Sequence, residues 1–227
     1  MSDVRDLTLW EISAGHSLTG LCVTGTSRQS LVGEWGMDES VDTPSARTIA
    51  RALTAAAVVT WGSLILFFIV GGPFGTINDL GNGVLAVLCG VLALLLHSRR
   101  RIAATMFAAA GAAISVFGSF LVLSNTAGYF FAGLVSASGF GLIGIWLLVI
   151  SRSGDLPASR SALIAGAVMA LGIVNVAGVV EGRDDQDAAP GWLVAAGVCW
   201  AGTYLLLPMW ATRFARSSPG HSRHTGV

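Results

Sequence analysis

The chain has 227 residues, of which 53% are apolar and only 11% charged, and its mean hydropathy is +0.71. A water-exposed surface does not tolerate that balance, so the main solvent is lipid. Net charge is zero, so no global field points to nucleic acid, and the 13 basic residues are all arginine, which excludes Schiff-base chemistry on lysine.

Residues 1–48 form a mixed polar segment with scattered Gly, Ser and Thr and little amphipathic periodicity, which reads as a disordered cytoplasmic tail. It lacks the short, positively led apolar core of a secretory signal, so the first apolar run is expected to stay in the membrane as an anchor. Met37, shortly before that run, offers a second start site and leaves open whether residues 1–36 belong to the protein.

A span needs roughly 20 apolar residues at about 1.5 Å each to cross about 30 Å of hydrocarbon. Six stretches qualify: residues 52–70, 80–96, 102–123, 129–150, 162–180 and 192–211. They define an all-α polytopic membrane bundle of three consecutive helix hairpins within residues 49–212, followed by a cytoplasmic tail at 213–227. The second stretch is the shortest and opens on Gly81, Asn82 and Gly83, so a re-entrant segment is the alternative there.

Orientation follows from arginine in short loops, which is retained in the cytoplasm. Arg5, Arg28, Arg47, Arg51, Arg99 to Arg101, Arg152, Arg160, Arg213, Arg216 and Arg223 all fall on one side of a six-span chain. Only Arg183 falls on the other, among Glu181, Asp184, Asp185 and Asp187. Both termini are therefore expected in the cytoplasm, and the Arg99, Arg100 and Arg101 cluster is expected to meet anionic lipid head groups.

The even-numbered spans share a Gly-rich first half and a Leu-rich second half that ends in arginine. This is either a weak threefold repeat of the kind transporters carry or the plain consequence of every inward span ending in a base. Small residues four apart, in Gly111, Ser115 and Ser119 and in Gly133, Ala137 and Gly141, are expected to let helices pack closely.

Ser138 and Gly139, in SASGFGLIGIW, resemble the Ser-Gly of rhomboid-type intramembrane proteases, a family that implies six spans and a serine nucleophile. That family pairs its serine with a histidine on the sixth helix, which has none here; His16, His97, His221 and His224 lie in tails or at a span end. Packing is the reading that survives for Ser138. No P-loop, HExxH or paired-cysteine motif occurs, Cys22, Cys89 and Cys199 follow no ligand spacing, and neither a metal nor a cofactor is expected.

Polar residues at the outer face remain. Asn78, Asp79 and Asn82 fall where the first outer loop enters the second span, and an ionisable group at that boundary is often functional. Asn175, inside the fifth span, is expected to bond another helix or contact a ligand. These four are the candidate ligand or ion pathway. Pro208 is expected to kink the sixth span, and Trp192 and Trp210 to anchor its two ends at the interfaces.

The strings GGPFGTINDLGNG and LLLPMWATRFAR resemble segments of small multi-pass bacterial membrane proteins, which implies a place in the bacterial cytoplasmic membrane rather than a mechanism. The favoured function is a non-enzymatic packing, sensory or accessory subunit with the bilayer, and a further membrane protein, as partners. The alternative is a small secondary transporter or permease.

Overall fold

The computed structural model describes residues 43–97, 102–152 and 158–217. The tail before residue 43, the Arg99 to Arg101 cluster and the residues after 217 lie outside them. Six helices are long and apolar enough to cross a membrane, and they pack against one another with no strand among the described residues. We number them α1 (Thr43–Val70), α2 (Phe74–Leu95), α3 (Ile102–Leu123), α4 (Tyr129–Ser151), α5 (Ser159–Val180) and α6 (Gly191–Arg216).

Each helix packs against the next in sequence, and α6 returns to pack against α1, so the six form a closed ring. This is the architecture of a multi-pass membrane protein. Large apolar side chains such as Val58, Ile69, Met106, Phe117 and Val180 are exposed around the outside, as lipid contact requires. At the end where α1 begins and α6 stops the interior is filled by Leu53, Leu92, Trp146, Leu147, Ile150, Leu207 and Trp210, all fully buried or nearly so.

Small residues set the closest approaches. Between α3 and α4, Ser115 Oγ donates to Ser136 O at 3.0 Å and Ser136 Oγ donates back to Ser115 O at 3.3 Å. A Cβ at Gly111 would lie 2.5 Å from the Gly139 carbonyl, so this seam accepts no larger residue. Gly141 and Gly144 make the corresponding contact with the backbone of α5. α4 is thereby gripped on both sides and is the most buried of the six.

The structure departs from the sequence expectation at three places. α2 begins at Phe74 rather than near residue 80, because Gly71 and Gly72 turn the chain with φ of 73° and 69° and Pro73 starts the helix at once. It is one continuous helix, not a re-entrant segment. α1 likewise begins at Thr43, so the last residues of the expected tail are helical. Trp210 is 0% exposed and packs edge-on to Trp146 with ring centroids 6.4 Å apart, so it is a core residue and not an interfacial anchor. The reason is that α6 continues to Arg216, which carries Trp210 well inside the bundle.

Candidate functional site

The earlier start of α2 changes the setting of its polar residues. Asp79 follows Phe74 by five positions, which places it about 7.5 Å along the helix rather than at its mouth. Asn78, Asp79 and Asn82 are all buried, at 2%, 8% and 5% exposure. Asn78 and Asn82 stand one turn apart on a face that looks into the ring, and Asp79 is beside them.

These three residues border a cavity of about 310 Å³ at the end of the bundle away from Thr43 and Arg216, and every helix contributes to its wall. α1 supplies Leu64 and Phe68, α3 Ser119, α4 Tyr129, Gly133 and Ser136, α5 Asn175, and α6 Trp200 and Tyr204. Gln186, from the loop between α5 and α6, also lines it. The four candidate residues named from the sequence, Asn78, Asp79, Asn82 and Asn175, therefore share one chamber.

Two irregular helices shape this chamber. In α5, residues Leu171–Val174 tighten into a 3-10 turn where Gly172 meets the backbone of α4. Asn175 follows directly, and its Nδ2 donates to Gly172 O at 3.0 Å and reaches Cys199 Sγ of α6 at 3.8 Å. In α6, Gly202–Leu206 form a π-helical turn. Pro208 lacks an N–H, and its ring crowds the carbonyl of Tyr204 four residues earlier, so the wider turn relieves the conflict. The kink expected from Pro208 thus takes the form of a π turn upstream of it.

The π turn carries Tyr204 to α2. Its hydroxyl lies 2.7 Å from Asn82 Oδ1 and 3.5 Å from Asn78 Oδ1. Trp200 stacks on the Tyr204 ring, with centroids 5.3 Å apart and planes 13° from parallel. Asn78 Nδ2 in turn donates to Asp79 Oδ1 at 3.5 Å, the long limit of a hydrogen bond. A connected polar chain therefore runs from the Asp79 carboxylate through Asn78 and Tyr204 to Asn82.

Ser119 lines the same chamber and is 5% exposed, and its Oγ has no hydrogen-bond partner among the described residues. Tyr204, Trp200 and Ser119 had not been singled out as site residues from the sequence. The available signal was a tyrosine and a tryptophan four residues apart in mid-span, where such rings are not interfacial anchors.

The loop after α5 is acidic. Arg183 is engaged by Glu181 and donates to Ala188 O at 3.3 Å, while Asp184 accepts from Phe131 N at 3.4 Å, at the positive start of α4. Among the described residues no group of three or more His, Cys, Asp or Glu could hold a metal. Ser138 donates to Val135 O at 2.7 Å, and His97 meets Thr105 at the opposite end of the bundle. Cys89 and Cys199 are buried and free. Neither a family model, nor a curated protein, nor a solved structure matches this chain.

Proposed function

We propose that the chain is a non-enzymatic small secondary transporter or permease that binds its solute in the chamber around Asp79. The observation that carries this reading is the joint wall: all six helices contribute to one cavity that contains a buried carboxylate. A subunit whose role is only to pack gains nothing from such a chamber, since an unfilled polar cavity costs stability. Helices interrupted at mid-span, with polar groups beside the interruptions, are how transporters build solute sites. The interruptions of α5 and α6 at Leu171–Val174 and Gly202–Leu206 fit that pattern. Beyond the chamber the ring is filled with large side chains, which is what a state open toward one face only requires.

The arginine distribution favours both termini in the cytoplasm, which would open the chamber toward the outer face. The resemblance of GGPFGTINDLGNG to bacterial segments favours the bacterial cytoplasmic membrane. The test is uptake: vesicles from cells making the wild-type chain should accumulate a solute, from a mixed pool, that vesicles with Asp79→Asn at equal abundance do not. Equal uptake profiles for both proteins would remove the transport role of Asp79, and profiles equal to those of vesicles lacking the chain would remove transport altogether.

A further inference from the structure

Resting on the reading of the chamber as a solute site, we propose that its solute is a primary organic ammonium ion, with the –NH3+ group held at Asp79 and the organic body beside Trp200 and Tyr204. Three observations lead there. The first is an unbalanced charge. Asp79 is 8% exposed, and its one hydrogen bond to a described residue is the 3.5 Å contact with Asn78. Among the described residues no arginine or histidine lines the cavity. An ionised carboxylate has about four acceptor positions, so most are open to a cation, and a buried charge calls for a counter-charge.

The second is the kind of atoms around it. Asn78 Oδ1 and the Tyr204 hydroxyl stand next in the polar chain, within 3.5 Å of each other. Together with the carboxylate they present several acceptors, and a primary ammonium has three donors to satisfy them. A quaternary ammonium has none. The set contains one carboxylate and otherwise neutral oxygens, which balances a single positive charge and not a divalent metal.

The third is the size and character of the rest of the chamber. About 310 Å³ is far more than a bare ion fills. The remaining wall is largely apolar or aromatic: Phe68, Tyr129 and Trp200 border it, and aromatic faces attract cations as well as apolar bodies. The acidic loop containing Glu181, Asp184, Asp185 and Asp187 lies at the same end of the bundle, where it would raise the local concentration of cations.

The test uses the full chain in detergent micelles and three probes of one shape: benzylammonium, benzyl alcohol and benzoate, with benzyltrimethylammonium and sodium as further arms. Thermal stabilisation and calorimetric binding are read for wild type, for Asp79→Asn, and for Gly133→Trp. Gly133 lines the cavity, and a Cβ there meets nothing within 4 Å, so tryptophan fills space without a clash at its root. We expect benzylammonium to stabilise wild type in a saturable way and to bind at least tenfold more tightly than benzyl alcohol, benzoate or benzyltrimethylammonium. Asp79→Asn should lose at least tenfold, and Gly133→Trp should lose binding.

Stronger binding of benzyl alcohol or benzoate, lost in Gly133→Trp, overturns the ammonium assignment and leaves the solute chamber standing. Stabilisation by sodium alone that excludes benzylammonium does the same in favour of an inorganic cation. An equal response of wild type and Gly133→Trp to every probe overturns both readings. Should Asp79→Asn fail to fold, the charge series on wild type still decides the ligand class.

Discussion

Tyr204 ties α6 to α2 through one hydroxyl. Removing it in Tyr204→Phe leaves Asn82 Oδ1 without its 2.7 Å partner in a buried setting, which costs about 1–3 kcal/mol. We expect a lower melting temperature for the full chain in detergent, together with weaker solute binding, because the same hydroxyl helps present Asn78. A variant as stable as wild type would mean that water in the chamber replaces the tyrosine. Gly111→Val probes a different kind of contact. Its side chain meets the Gly139 carbonyl at the start, so α3 and α4 must separate, and overpacking of this kind costs typically 1–3 kcal/mol. Loss of melting temperature without a change in the relative affinities of the three probes is the expected result. Individual residues were partly legible from the sequence. Asp79 stood out because a charge among apolar residues is rare, whereas Ser119 did not, since a serine at four-residue spacing looks like packing until its hydroxyl is found without a partner.

At the scale of the helix, hydropathy found all six spans but misjudged where α2 begins. FGTIND is too polar to score as membrane, yet it lies in the span because its amide and carboxylate, on Asn78 and Asp79, face the ring interior and not lipid. Periodic burial of polar groups is invisible to an average over a window. The irregular turns were equally hidden: Pro208 announced a defect in α6, but only the structure places it as a π turn at Gly202–Leu206. Replacing Pro208 with alanine should let that turn relax to an α-helix. Such a relaxation shifts the helix register by one residue and so rotates the upstream segment by about 100° relative to the downstream one, which would take Tyr204 away from Asn82. We expect Pro208→Ala to insert and to melt no lower than wild type, but to lose benzylammonium binding. Retained binding would show that packing against α1 and α5, and not the proline, holds the π turn.

For the molecule as a whole, the arginine distribution over the six helices makes a topological prediction. Reporter fusions after Arg152 and Arg216 should report cytoplasm, and fusions at Thr126 and Asp187 should report the outside, since short loops join consecutive helices and arginine in such loops is retained inside. A cytoplasmic signal at Asp187 would contradict the arginine-based orientation. The number of helices was readable from apolar length, because the thickness of lipid imposes it directly. The closure of α6 onto α1 was not, since either helix alone is compatible with an open row. In the structure that closure is marked by Thr54, whose Oγ1 lies 3.3 Å from Thr212 Oγ1 across the seam.

The same seam has a consequence for how the protein is made. α2, with its carboxylate, leaves the ribosome early, and the ring of Tyr204 that completes the polar chain arrives only with α6. Until then Asp79 sits in a partial bundle with an open flank, accessible to water or lipid head groups. The chamber is therefore a product of the final insertion step, and a nascent chain halted after α5 would carry the charge without the cavity. If the chamber holds the proposed solute, capture of that solute reports completed assembly.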